Sequence, residues 1–186
     1  MRIFCVGLNK TGTRSLHDAL QVLGFRSVHW GGPNLTTAVQ RGPEIHAAVM
    51  QSLREGRPLL EGLEDADAYS DIGALSTNFD VLDSQYPASK FILTVRPIEE
   101  WLASREQHVM ENQAMQSRGE YNGTFLEVDL IGWRTEALEH ESRVRSYFAA
   151  RPEDLLAFDV TAGDGWDQLC PFLGVAIPSD PFPYRR

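Results

Sequence analysis

Residues 3–16 read Ile3-Phe4-Cys5-Val6-Gly7-Leu8-Asn9-Lys10-Thr11-Gly12-Thr13-Arg14-Ser15-Leu16. The apolar start predicts a buried strand over residues 2–7, followed by a loop that contains Gly7 and Gly12. Apolar residues then recur over residues 13–23 with the i, i+3, i+4, i+7 spacing of an amphipathic helix, which Gly24 would end. A strand, a glycine-containing loop and a helix favour an anion site, because backbone N–H groups converge there and the helix dipole adds positive charge.

The rest of the chain alternates between helical and strand patterns. Further helices are predicted over residues 43–55, 79–85, 98–111, 130–148 and 166–173, and further strands over 58–62, 90–96 and 155–160. Residues 26–34 are mixed, and the polar residues 112–126 predict a mobile loop. This βαβ rhythm predicts an α/β fold of the P-loop type, with three α/β/α layers around a central, mostly parallel sheet. A single domain over residues 1–186 is expected.

The composition is that of an ordinary globular protein with an acidic excess. The chain has 186 residues, 42% hydrophobic and 23% charged, and a formal net charge of −9. This balance argues against a nucleic-acid partner, which needs clustered Lys and Arg. No signal peptide opens the chain and no stretch approaches the ~18 apolar residues of a membrane span, so a cytoplasmic protein is expected. The only cysteines, Cys5 and Cys170, have no metal-ligand spacing and are expected to be buried free thiols.

The polar groups of the first loop suit a phosphate-like anion. Lys10 supplies a mobile ammonium group, and Thr11, Thr13 and Ser15 supply hydroxyl donors. The loop of ATP and GTP hydrolases requires Gly, four residues, Gly, Lys and then Ser or Thr. Here the lysine precedes the second glycine and Arg14 takes the place of the magnesium-binding hydroxyl, so ATP or GTP is disfavoured.

The order Lys-Thr-Gly-Thr-x-Ser over residues 10–15 resembles the 5′-phosphosulfate loop of sulfotransferases that use PAPS (3′-phosphoadenosine 5′-phosphosulfate). The resemblance implies that Lys10 contacts the phosphosulfate bridge and that the backbone of residues 11–15 holds the 5′-phosphate. The predicted donor-binding residues in this loop are Asn9, Lys10, Thr11, Gly12, Thr13, Arg14 and Ser15. Many cytosolic members carry a tryptophan after the loop that stacks on adenine, and Leu16 stands there in this sequence.

A second motif supports the same resemblance. Residues 91–104 read Phe-Ile-Leu-Thr-Val-Arg-Pro-Ile-Glu-Glu-Trp-Leu-Ala-Ser. Sulfotransferases have an arginine at the end of such a strand and a serine two turns into the next helix, and both bind the 3′-phosphate of the donor. The resemblance gives these roles to Arg96 and Ser104, and an arginine fork suits a phosphate. The alternative is that Arg96 only pairs with Glu99 or Glu100.

The resemblance covers most of the chain and is thinnest over residues 26–57 and 106–150, where acceptor recognition is expected. The catalytic base of sulfotransferases is a His or a Glu just after the strand that precedes the arginine strand. That region contains no histidine here. Asp71 is the preferred candidate and Asp67 the next, with a solvated acidic loop as the alternative. Two histidines, His29 and His108, are candidates to line an acceptor pocket.

The sequence therefore predicts a metal-independent enzyme that transfers a sulfuryl group from PAPS to a small-molecule acceptor with a hydroxyl or amine group and releases PAP, the desulfated nucleotide. Lys10 would stabilise the leaving phosphate. Two other functions stay open: a small-molecule kinase that uses ATP, and a nucleotide-binding module without catalytic activity. The sequence sets neither the identity of the acceptor nor the oligomeric state.

Overall fold

Five parallel strands form the centre of the molecule. A computed structural model describes residues 1–30, 35–121 and 123–185, apart from the side chains of residues 35–41. The strands are β1 (Ile3–Cys5), β2 (Ser27–His29), β3 (Ala68–Ser70), β4 (Lys90–Thr94) and β5 (Leu155–Phe158). Their order in the sheet is β2-β3-β1-β4-β5, and every pair is parallel. The predicted parallel sheet is thus confirmed.

Helices connect these strands and cover both faces of the sheet. They are α1 (Thr13–Val22), α2 (Leu35–Arg54), α3 (Gly73–Thr77), α4 (Phe79–Gln85), α5 (Ile98–Ser117), α6 (Leu130–Tyr147) and α7 (Trp166–Leu173), with a 3₁₀ turn at Pro152–Asp154. No helix in the described ranges is long and apolar enough to cross a membrane.

Alternating side chains of the strands build a core on each face. On one face, Phe4 of β1 packs with residues of α2, α3, α4 and α6. On the other face, Ile3 and Cys5 pack with α1 and α7. Because successive side chains of a strand point to opposite faces, a continuous apolar run serves both cores at once. The α/β fold class with helices on both faces is confirmed, and Cys5 and Cys170 are buried and free, as predicted.

The structure differs from the predicted elements in several places. Residues 58–62 form turns rather than a strand, since Glu61 N–H donates to the Pro58 carbonyl and Leu63 N–H to the Leu60 carbonyl. The third strand lies instead at Ala68–Ser70, and β2 lies in the stretch whose pattern was mixed. Helix α5 continues to Ser117, so the first part of the predicted loop 112–126 is helical.

The strand order determines where a ligand can bind. Strand β1 lies between β3 and β4, with Ile3 in register with Ala68 on one side and with Lys90 on the other. The chain crosses from one side of β1 to the other between β3 and β4. In open parallel sheets, ligands bind beyond the carboxyl ends of the strands at such a crossing. The segments that follow β3, β1 and β4 therefore meet in one crevice.

Candidate active site

The loop after β1 lies so close to its neighbours that two positions require glycine. A Cβ atom on Gly7 would lie 2.0 Å from Oγ1 and 2.5 Å from the carbonyl oxygen of Thr94, closer than any side chain allows. Gly12 has φ 95°, and a Cβ atom there would lie 3.0 Å from the Val160 side chain. The loop therefore packs closely against Thr94, at the end of β4, and against Val160, just after β5.

Hydrogen bonds hold the first two carbonyl groups of the loop toward β4 and α5. The Thr11 hydroxyl donates to the Leu8 carbonyl at 2.5 Å and lies 2.6 Å from the Thr94 hydroxyl at the end of β4. The indole Nε1–H of Trp101, on α5, donates to the Asn9 carbonyl at 2.7 Å. Both carbonyl groups are therefore used inside the protein.

The third carbonyl of the loop faces Arg96, just after β4. Nη1 of Arg96 lies 3.5 Å from the Lys10 carbonyl oxygen. In a trans peptide, the C=O and N–H groups of one unit point in opposite directions. Because the carbonyl groups of Asn9 and Lys10 face Trp101 and Arg96, the N–H groups of residues 10 and 11 point away from those two side chains.

Successive backbone N–H groups in a loop of this kind can bind an anion together. Lys10 adopts φ 66°, the left-handed conformation that such backbone nests use. Within the described residues, no backbone N–H from residue 8 to residue 15 donates to a protein acceptor. Helix α1 begins in the same loop without a side-chain cap, so its positive dipole end is also exposed to a ligand. The arrangement can bind a phosphate or sulfate group.

The Arg96 guanidinium lies beside the loop, and most of its N–H donors make no close hydrogen bond within the described part of the protein. Its Nε lies 3.5 Å from a Glu100 oxygen, yet makes no hydrogen bond although it is buried. Glu99 pairs instead with Arg134, at 2.7 and 2.9 Å. A long contact to one carboxylate leaves a five-donor guanidinium able to bind a phosphate. The lysine and arginine expected at two strand ends thus meet at one edge of the sheet.

Asp71 follows β3 directly and faces the same crevice. Its side chain is only 19% exposed, and its φ of 57° is unusual for a residue other than glycine. Burial raises the pKa of Asp71 to about 7, and the nearby Lys10 charge and the Thr13 hydroxyl offset part of that rise. A carboxyl group with this pKa suits proton transfer near neutral pH, and strained backbone is common at functional sites.

Asp67, the second candidate base, lies at the wrong end of the sheet. It precedes β3, and its carboxylate accepts hydrogen bonds from the backbone and side chain of Arg26. Its own carbonyl accepts from the Ile3 N–H at the start of β1. Because β1 and β3 are parallel, a residue before β3 lies at the amino edge, opposite the anion site. Of the two candidate bases, this geometry favours Asp71.

His29 is part of the site, although the sequence marked it only as a candidate for the pocket lining. Its Nε2 lies 3.3 Å from the Thr13 hydroxyl and 3.6 Å from Oδ2 of Asp71. Burial lowers the pKa of His29 to about 3, so the imidazole is neutral at pH 7. Its Nδ1 is buried without a hydrogen bond. Strand β2 was not predicted from the sequence. Had a strand been predicted that ends at His29 next to the strand that ends at Ser70, the closeness of His29 and Asp71 would have followed.

The other residues predicted from the sequence lie in the first turn of α1 and on α5. Arg14 is 40% exposed, with its Nε 3.9 Å from Asp18. Ser15 is buried, and its hydroxyl oxygen accepts a hydrogen bond from the Arg185 N–H at 2.8 Å. Ser104 is half-buried in the second turn of α5. Leu16 is fully buried in the core, where it cannot stack on a base.

His108, on α5, lies close enough to Lys10 for the two groups to interact electrostatically. Burial, followed by the charge of Lys10, lowers the pKa of His108. Its ring lies 5.7 Å from that of Phe125. Asn112 holds the Phe125 carbonyl at 3.0 Å. In the described part of the chain, no group of three His, Cys, Asp or Glu side chains is placed to hold a metal ion.

Fold and site together define an α/β protein with a glycine-containing loop and two cationic residues at the carboxyl edge of a parallel sheet. Its sequence matches the sulfotransferase domain family over residues 2–134 and 120–186. The chain belongs to that family. It is also 24% identical over 216 residues to "Ava biosynthesis cluster protein M" of Aspergillus versicolor, an alignment that covers 99% of this chain and 80% of the relative.

Proposed function

We propose that the protein transfers a sulfuryl group from PAPS to a hydroxyl or amine group of a small molecule. The observation that carries this proposal is the meeting of the amide-lined loop, Lys10 and Arg96 in one crevice. Sulfotransferases generally take the sulfuryl group from PAPS. A donor with phosphates at both the 5′ and 3′ positions fits two cationic groups that face one crevice from two strand ends.

Each group has a role that follows from its place. The N–H groups of residues 9–11 and the start of α1 would hold the 5′-phosphate, and Arg96 with Ser104 the 3′-phosphate. Lys10 would stabilise the charge that develops on the bridging oxygen as the sulfur–oxygen bond of the donor breaks. Asp71 would take the proton from the hydroxyl or amine group of the acceptor while the oxygen or nitrogen of that group forms a bond to sulfur. PAP would then leave.

The nucleotide is tested first by calorimetry with PAP, ADP and ATP, each with and without magnesium, on wild type and on Arg96→Ala. We expect PAP to bind best without magnesium. Arg96→Ala should weaken PAP binding by about 1.5–3 kcal/mol, roughly 10-fold to 150-fold, because it removes a charged hydrogen-bond donor from a phosphate. The affinity for ADP, which lacks the 3′-phosphate, should fall much less in this variant.

Arg134→Ala is the matched control, because Arg134 pairs with Glu99 on the surface, away from the crevice. It should leave PAP affinity unchanged. Magnesium-dependent binding of ATP in preference to PAP would overturn the proposal in favour of a kinase. Tight PAP binding without transfer to any of a broad panel of phenols, alcohols, amines and sugars would favour a nucleotide-binding module.

The pH dependence of turnover provides a second test. A base must be ionised to accept a proton, so kcat/KM for the donor should fall about tenfold per pH unit below the Asp71 pKa of about 7. Bound donor adds negative charge near Asp71, which raises its pKa. The midpoint measured at saturating donor should therefore lie above the midpoint for the free enzyme. A midpoint below pH 5 in both profiles would contradict the assignment of Asp71.

A further inference from the structure

A buried arginine on α5 is surrounded by aromatic rings. The Arg105 guanidinium carbon lies 4.8 Å from the ring centre of Trp133, 4.9 Å from that of Trp101 and 5.1 Å from that of Phe125. Nη1 of Arg105 pairs with Glu136 at 3.0 Å, and the arginine side chain is only 12% exposed. Contacts of this kind hold a planar guanidinium against ring faces. We call these five residues the arginine cage.

One ring of the arginine cage contacts the donor loop directly. Trp101 is 1% exposed, and its Nε1–H donates to the Asn9 carbonyl at 2.7 Å. Leu8, from the same loop, packs against the apolar cluster around Trp101 and Trp133. The peptide between Asn9 and Lys10 is thus fixed from its carbonyl side, which turns the Lys10 N–H away from Trp101.

We infer that Trp101 is a positioning residue for the donor loop, and that the arginine cage fixes the indole in the orientation that this role needs. The inference rests on the proposed function, because it assigns the Lys10 amide to the donor's 5′-phosphate. Packing alone would need an aromatic ring at position 101, whereas positioning needs the indole N–H.

The substitution Trp101→Phe separates these two roles, because phenylalanine keeps an aromatic ring and lacks the N–H. We expect PAP to bind about fivefold more weakly, the effect of losing one ordinary hydrogen bond. The donor KM should rise by a similar factor while the acceptor KM stays unchanged. Trp133→Phe is the matched control, since it makes the same change in the same cage and, among the described residues, no hydrogen bond joins Trp133 to the loop. Its donor affinity should stay within about twofold of wild type.

Thermal unfolding and the amide resonance of Lys10 complete the test. The ¹H–¹⁵N resonance of Lys10 should shift in Trp101→Phe and not in Trp133→Phe. Equal loss of donor affinity in both variants, or lowered melting temperatures with unchanged affinity and an unshifted resonance, would show a purely structural role. If wild type fails to bind PAP, the proposed function fails, and the same comparison made with pyrophosphate and the Lys10 resonance still decides the positioning role.

Discussion

Replacing Lys10 with methionine should lower the rate of sulfuryl transfer at saturating donor by at least about 100-fold, because a group that stabilises charge only in the transition state is worth ~10²–10³ in kcat. Methionine keeps an unbranched apolar stem and removes the ammonium group, with its charge and its hydrogen-bond donors. Lys10 already adopts φ 66° without being glycine, so the new side chain adds no backbone strain. Rapid-mixing or end-point assays of PAP release would measure the loss.

A second readout separates this electrostatic role from a mere loss of binding. The ammonium group of Lys10 lowers the pKa of Asp71, so its removal should move the acidic limb of the pH–rate profile of Lys10→Met to higher pH. The sequence contains one other lysine, Lys90, at the amino end of β4, where Nζ donates to the Glu153 carbonyl. Lys90→Met should leave both rate and pH profile unchanged. An equal loss in the two variants, or an unmoved profile in Lys10→Met, would refute the role of Lys10.

The loop after β1 was predictable because its signals are local. Residues 3–5, the glycines at 7 and 12 and the periodic apolar residues of α1 specify a strand, a tight loop and a helix within one short stretch. Strand β4 was equally clear, because a strand buried on both faces is a continuous apolar run. Since both carboxyl ends lie at one edge of a parallel sheet, the approach of residues 10 and 96 followed from the fold class.

The position of β3 was not predictable from local pattern. The apolar pair Leu59-Leu60 made residues 58–62 look like a strand, and Leu59 is indeed fully buried in the fold. In the fold, the Leu59 N–H donates to the Gln85 side chain and the Leu60 N–H to the Tyr86 hydroxyl, so neither joins the sheet. Three-residue strands such as β2 and β3 obtain their stability from neighbours in the sheet rather than from their own sequence.

The misplaced strand explains why the sequence could not decide between Asp67 and Asp71 as the candidate base. With the third strand placed at residues 58–62, Asp67 and Asp71 both followed it and both remained candidates. With β3 at Ala68–Ser70, one aspartate precedes the strand and the other follows it, so they lie at opposite edges of the sheet. The same shift makes His29, at the end of the neighbouring β2, a neighbour of Asp71. The hydrogen bond from the indole N–H of Trp101 could not be predicted for another reason, because the direction of the indole depends on packing between α5 and α6.

Asparagine at position 71 should reduce turnover by about 10²–10⁴-fold, the usual contribution of a general base, while PAP still binds. The variant should fold at least as well as wild type for two reasons. Asparagine tolerates the left-handed conformation at φ 57°, and an amide avoids the cost of burying a carboxylate. The inflection near pH 7 should also disappear from its residual activity.

Asp67→Asn is the control with the same chemical change at the opposite edge of the sheet. It weakens a surface pair with Arg26 and should cost no more than about 1 kcal/mol of stability and none of the activity. Calorimetry with PAP, thermal unfolding and sulfuryl transfer are measured on both variants. Near-normal turnover by Asp71→Asn with bound PAPS would remove this residue from the mechanism. The neutral imidazole of His29, 3.6 Å from the Asp71 carboxyl group, would then be the next base to test.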